Sequence, residues 1–236
     1  MNEPTRVALV SGASRGLGRA LAAELLRQGW RVIADARDGH RLSAAVAEMP
    51  RSDAVTAIPG DVTSPVHRAR LAAAVRREGG LDLLVNNASA LGPSPMPRLA
   101  DYPLWELARV LETNVIAPLA LFQLLAPRLE ERSGAVVNVS SDAAVEGYEG
   151  WGGYGASKAA LDQLSAVAAA EHPGLRVYAF DPGDMNTDMH QRAFPGEDIS
   201  DRPPPESVVP ALLLLVGGGR PSGRYRAADL GAPVAA

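Results

Sequence analysis

Short aliphatic runs alternate along this chain with longer stretches in which apolar residues recur at helical spacing. Runs at 5–11 (TRVALVS), 30–35, 54–58, 81–85, 134–140, 174–180 and 223–226 read as strands, and 16–28, 39–48, 64–78, 101–131, 152–171 and 205–216 read as helices. The first six strands are nearly continuous in apolar residues, the pattern of parallel strands covered on both faces; the run at 223–226 carries the weakest signal. Strand followed by helix, repeated, is the mark of βαβ units. Ser64 before Pro65 predicts a capped helix start, "DRPPPES" restarts a helix near 205, and Pro118 predicts a break or kink within 101–131. Right-handed crossovers then give a doubly wound α/β sheet with helices on both faces. No repeat or linker divides the 236 residues, so one domain over 1–236 is expected.

Composition narrows the partners. Hydrophobic residues make up 47% and charged residues 21%, an ordinary globular balance, and aromatics at 5% imply an aliphatic core. A net charge of −4 provides no basic field for nucleic acid or anionic lipid. The absence of cysteine excludes disulfides, thiolate metal sites and a cysteine nucleophile. Histidines 40, 67, 172 and 190 follow no ligand spacing, so no metal is expected; the first three are expected at the surface and His190 within reach of a substrate. The opening segment has no signal-peptide pattern, and the apolar run "PALLLLVGGG" is far short of the roughly 20 residues of a membrane span. A cytoplasmic protein without membrane partners is the expectation. The glycosylation patterns at Asn87 and Asn138 then read as chance matches.

Three features carry chemistry. "ALVSGASRGLGRAL" places Gly12, Gly16 and Gly18 between the first strand and the first helix, which is either a plain turn or a cradle that lets backbone and helix N-terminus approach a pyrophosphate. "YGASKAAL" sets Tyr154 and Lys158 four apart on one helix face, with Lys158 the only lysine in a chain that otherwise uses arginine. Such a pair is either a surface contact or a working unit: a phenol transfers protons poorly near neutrality unless its anion is stabilised, and a compact ammonium with three donors can do this where a flat guanidinium cannot. "VVNVSSDAA" ends the fifth strand at the sheet's carboxyl edge, where doubly wound folds bind ligands, with Ser140 and Ser141 as candidates.

The glycine spacing GxxxGxG after Ser11, the "VNNAS" of 85–89 and the YxxxK of 154–158, in that order over almost the whole chain, resemble the short-chain dehydrogenase/reductase family. The resemblance implies a Rossmann fold, a parallel seven-stranded sheet in the order 3-2-1-4-5-6-7, and a nicotinamide dinucleotide cofactor. Gly12, Ser14, Arg15, Gly16, Leu17 and Gly18 would surround its phosphates. Arg37, next to the position where NAD-selecting members carry an acid, and Arg15 favour NADP(H) over NAD(H). Asp35 is either a strand-end residue or a ribose ligand. Asp61 and Val62 would meet the adenine, Asn87 and Ala88 would flank the adenosine, and Ser89 replaces the family's glycine.

The same resemblance assigns the reacting groups. Tyr154 would transfer the proton, Lys158 would lower its pKa and bind ribose, and Ser141, thirteen residues before the tyrosine, would polarise the carbonyl. Asn114 is either a structural kink or the asparagine of a proton relay. Pro182 and Gly183 re-aim the chain, and Met185 and Thr187 would hold the carboxamide, while Asp181 stands where the family usually has asparagine. A substrate loop over about 184–205, with Tyr148, Trp151, Met189 and Phe194, would wall the pocket. The implied protein is an NADP(H)-dependent oxidoreductase interconverting a ketone or aldehyde and an alcohol, as a homodimer or homotetramer. The alternatives are a 3-oxoacyl-thioester reductase and a cofactor-binding regulator without turnover.

Overall fold

A computed structural model describes residues 5–231; residues 1–4 and 232–236, the ends of the expected 1–236 domain, lie outside them. Seven strands, β1 (Val7–Val10), β2 (Arg31–Ala36), β3 (Val55–Pro59), β4 (Leu83–Asn86), β5 (Ala135–Val139), β6 (Arg176–Asp181) and β7 (Gly223–Arg226), form one sheet. Its order is β3-β2-β1-β4-β5-β6-β7 and every pairing is parallel. The run at 223–226 is a strand, and its thin apolar signal has a cause. As an edge strand it pairs only with β6 and is partly exposed along its length, so packing asks less of its side chains.

The helices are α1 (Gly16–Arg27), α2 (Gly39–Ala47), α3 (Pro65–Arg77), α4 (Leu104–Leu111), α5 (Ala117–Glu130), α6 (Gly152–Glu171), α7 (Asp188–Ala193) and α8 (Val209–Val216). Two aliphatic layers sandwich the sheet. Leu21, Leu25 and Leu212 of α1 and α8 pack with Val10, Tyr178 and Phe180. On the opposite face Leu71, Leu121 and Leu125 of α3 and α5 pack with Leu9, Leu84 and Val136. Ser64 caps α3 by accepting from the His67 N–H, with Pro65 at the first turn, because a proline there forfeits a donor that the helix would leave unpaired.

The expected helix at 101–131 is interrupted, but not by a proline kink. Residues Glu112–Ile116 form a π turn in which the Ala117 N–H reaches back to the Glu112 carbonyl, and Pro118 lies in the first turn of α5, where its missing N–H breaks nothing. The whole run Leu104–Glu130 has a mean hydropathy of 1.4 over eighteen residues, a longer apolar stretch than "PALLLLVGGG". Leu121, Leu125 and Leu129 from it are fully buried in the core. The predicted loop at 184–205 contains a helix, α7, capped by Thr187, and the helix expected from 205 opens as a tighter turn over Pro205–Val208 before α8.

Candidate active site

A cavity of about 630 Å³ opens along the carboxyl ends of the strands. At its floor the chain turns from β1 into α1 through Gly12, at φ +69°, a left-handed conformation that a Cβ would strain. Gly18 is required for a different reason: a Cβ there would lie 2.5 Å from both the Gly12 carbonyl oxygen and the Asn87 side-chain nitrogen. The first turn of α1 has neither a side-chain cap nor an acidic residue, which leaves its N–H groups and positive dipole to a ligand anion. Ser11 locks this floor: its hydroxyl accepts from the Asn87 and Ala88 N–H groups at 3.0 Å and donates to the Val85 carbonyl. Asn87 in turn donates to the Ser11 and Gly12 carbonyls. The residues present therefore fit a dinucleotide: Gly12, Ser14, Arg15, Gly16 and Leu17 line the cavity together with Asn87 and Ala88.

The outer end carries three arginines among the acids Asp38, Asp61 and Asp188. Arg15 and Arg37 line it as expected, and so does Arg41, one turn into α2 and four residues beyond Arg37, which sequence reasoning missed. Asp188, at the start of α7, pairs with both Arg15 and Arg41 and so bridges α7 to the cofactor end. Asp61 lies on the same wall beside Val62. Partial burial pushes its carboxyl up, but hydrogen bonds from Thr63 and the charge of Arg37 outweigh this and hold it below the usual carboxylate range.

Asp35 is committed inward. Its Oδ1 lies 2.7 Å from His67 Nε2, and both side chains are buried, so the surface position expected for His67 is wrong. α3 turns that residue toward the end of β2, a placement that helical periodicity alone does not reveal because a polar side chain joins the buried face. Burial pushes the Asp35 carboxyl up, against the lowering effect of His67.

At the opposite end of the cavity, the first two turns of α6 bring Tyr154 and Lys158 into the wall, both buried. Lys158 Nζ donates to the Val139 carbonyl at 2.6 Å and lies 5.4 Å from the centre of the Tyr154 ring. Burial pushes the phenol above its ordinary value; the charges of Asp181 and Asp142 act in the same direction, and the Ser89 and Ser141 hydroxyls oppose them. Burial also lowers the Lys158 ammonium to about 8, with Asp162 opposing. The expectation that Lys158 lowers the phenol is not what this geometry displays. Desolvation governs both groups and holds each toward its neutral form.

Ser141 follows β5 and caps a short turn, accepting from the Ala143 N–H at 3.2 Å while its hydroxyl donates to Asp142 at 2.8 Å. Asn114 projects from the π turn and is buried. It accepts from the Ala90 N–H and the Ser89 hydroxyl and donates to the Ala90 carbonyl and the Ser157 hydroxyl. The helix break thus ties the segment after β4 to the residue preceding Lys158. Ser89, noted in the sequence only as a departure, is part of the reacting wall.

Of the residues expected to wall the pocket, Trp151 and Met189 line the cavity, while Phe194 packs against Trp151 without lining it. Trp151, Met189 and Phe194 pack around Leu91, Tyr154 and Ala193, with Met96 beside them, and Met185, Pro182, Gly183 and Thr187 line the cavity. Tyr148 stands at the rim, 42% exposed, edge-on to Trp151. Its hydroxyl donates to Glu146 and Asp142, and the hydrogen bond to Glu146 foremost pushes the phenol up to about 12. His190 packs against Phe194 at this wall.

A model of the short chain dehydrogenase family matches residues 6–198. Serine 3-dehydrogenase of Rhizobium radiobacter is 36% identical over 186 residues, 77% of this chain and 72% of its own. The rhamnolipids biosynthesis 3-oxoacyl-[acyl-carrier-protein] reductase of Pseudomonas aeruginosa is 36% identical over 194 residues, 78% of this chain and 74% of its own. A protein of Escherichia coli CFT073 described as a short chain dehydrogenase, with a crystal structure in complex with NADPH, superposes with a TM-score of 0.86 at 29% identity, covering 94% of this chain and 96% of its own. With the glycine cradle, the YxxxK pair and the sheet order all in place, the chain belongs to the short-chain dehydrogenase/reductase family and is an oxidoreductase.

Proposed function

We propose that this oxidoreductase uses NADP(H) to interconvert a ketone or aldehyde and an alcohol. The observation that carries the reading is one cavity with Ser141, Tyr154 and Lys158 in its wall at one end and Arg15, Arg37 and Arg41 at the other. The three arginines suit a 2′-phosphate, and an acid in their place would suit a free ribose hydroxyl. Asp61, Val62, Asn87 and Ala88 would hold the adenosine, the α1 N-terminus the pyrophosphate, and Pro182, Gly183, Met185 and Thr187 the nicotinamide end. When bound, the cofactor supplies or accepts the hydride. Tyr154 exchanges a proton at the substrate oxygen, Ser141 turns its hydroxyl to that oxygen as charge develops, Lys158 offsets the phenolate and contacts the ribose, and Asn114 sustains the relay behind them.

Assay with NADPH and NADH against a panel of carbonyl compounds tests the reading. NADPH is expected to be preferred, and Tyr154→Phe is expected to lose at least about a hundredfold in kcat; a variant that turns over near the wild-type rate rules the assignment out. A 3-oxoacyl-thioester reductase is tested in the same panel by a 3-oxoacyl thioester, whose turnover in place of simple carbonyls would favour that reading. A regulator without turnover has no need of the buried Tyr154 and Lys158 at this spacing. The same reading takes the protein to be cytoplasmic, and to pair as a homodimer or homotetramer through α5 and α6, where Leu124 and Val167 are exposed.

A further inference from the structure

We propose that Arg224, on the edge strand β7, is a positioning residue of the reacting site: it fixes Ser141 through that residue's backbone carbonyl and balances the charges of Asp181 and Asp162 behind Tyr154 and Lys158. The inference rests on the reading of Tyr154 as the proton-transfer group. Arg224 lies outside residues 6–198, so the match to the family does not account for it.

The geometry is that of a three-way clamp. Arg224 Nε donates to Asp162 Oδ2 at 2.9 Å, and Nη2 donates both to the Ser141 carbonyl at 2.9 Å and to Asp181 Oδ2 at 3.1 Å. In the β6–β7 register Arg224 stands opposite Ala179, two residues before Asp181, so strand alternation puts Arg224 and Asp181 on the same face of the sheet. Asp162 lies on that face too, one helical turn beyond Lys158 on α6. A planar guanidinium reaches three acceptors spread over three elements; an ammonium cannot do so from the same stem.

The groups around the Tyr154 phenol explain why the clamp matters. Lys158 faces it from its own helix, Ser141 and Asp142 from the segment after β5, Ser89 from the segment after β4, and Asp181 from the end of β6. Asp181 is buried, and its other oxygen accepts from the Gly183 N–H. An unbalanced carboxylate there would oppose every step in which the phenol gives up its proton. Where the family usually has a neutral asparagine, this chain has an acid together with a cation that pairs with it and offsets part of its charge.

The test is the pH–rate profile of wild type, Asp181→Asn, Arg224→Met and the double variant, on a substrate whose turnover Tyr154→Phe abolishes. Arg224→Met is expected to lose about tenfold in kcat with cofactor KM little changed, because Ser141 loses its anchor. Its Tyr154 limb should move up by about one pH unit as Asp181 becomes unbalanced. Asp181→Asn, which removes one of the two carboxylates and leaves Arg224 paired one to one with Asp162, should move the limb down, and the double variant should bring it back toward wild type. A limb unmoved in both single variants overturns the proposal, and so does a double variant no closer to wild type than Arg224→Met. If Arg224→Met does not fold, Asp181→Asn decides on the direction of its own shift. If the wild type turns over no carbonyl or alcohol, the proposed carbonyl–alcohol interconversion fails separately. The charge balance is then read from the phenolate absorbance that the wild type shows over Tyr154→Phe as pH rises, with the same order among the variants expected and its absence overturning the proposal.

Discussion

A lysine held almost entirely away from water works against the fold that carries it. Burial lowers Lys158 from 10.5 to about 8, so between those values the unfolded chain binds a proton that the folded chain has released, and the contribution of this group to stability rises with pH across that window. Lys158→Met is therefore expected to raise the melting temperature of the cofactor-free protein at pH 7, by an amount on the order of 1–3 kcal/mol in stability, to flatten that rise above pH 8, and to abolish turnover. Calorimetry across pH 7 to about 10 checks all but the last; a variant less stable than wild type at pH 7 refutes it. The importance of Lys158 was legible in the sequence because composition predicted arginine at that position. Other residues carried no such mark. His67, Ser89, Arg41 and Arg224 owe their roles to partners distant in sequence: Arg224 and Ser141 are 83 residues apart, and His67 and Asp35 are 32 apart. No local period encodes such meetings. Asn138 shows the converse. Its glycosylation pattern is explained by burial, since its side chain accepts from Asn86 and donates to Ser165 inside the protein.

Among the elements, the π turn shows best how local sequence and tertiary demand divide the work. The apolar spacing of 101–131 and Pro118 announced an interrupted helix, but the interruption falls at Glu112–Ile116, ahead of the proline. The extra residue in that turn aims Asn114 at Ala90, a pairing with the segment after β4 that the helix sequence alone cannot show. Such turns tend to occur where a helix must present a side chain that regular winding would direct elsewhere. Asn114→Ala leaves a part-buried N–H and carbonyl of Ala90 without their partner, and is expected to cost about 1 kcal/mol in denaturant unfolding. Turnover should fall further than the lost stability explains, with cofactor affinity nearly unchanged. Wild-type turnover in a destabilised variant would assign Asn114 to structure alone. The loop at 184–205 was legible as pocket wall but not as helix: α7 spans only six residues, too few for a periodic signal to stand out.

For the whole molecule, the sheet order and the two aliphatic layers were readable because alternating strand and helix leave few topologies open. What the outer surface does was less readable. Leu124 on α5 and Val167 on α6 are 48% and 40% exposed, on the helices through which the proposed homodimer would form. Leu124→Glu combined with Val167→Glu is expected to shift the sedimentation mass from a multiple of the 24.7 kDa chain to that of the chain itself, while helical content in circular dichroism stays constant. A wild type that sediments at the chain mass at micromolar concentration removes the assembly from the proposal.

The clamp at Arg224 also bears on how the molecule comes together. The groups that would recognise the adenosine and phosphates, from Gly12 to Ala88, all precede residue 90, and the reacting groups lie from Asn114 onward. The anchor of Ser141 comes from β7, the seventh strand of the seven. Loop closure makes such distant contacts slow to form, and synthesis delivers the anchor after every residue it holds. The cradle can thus be assembled while the serine is still unheld. Chemical competence in this chain is consequently a property of the docked edge strand, and regain of turnover during refolding should follow that docking, not the earlier return of secondary structure.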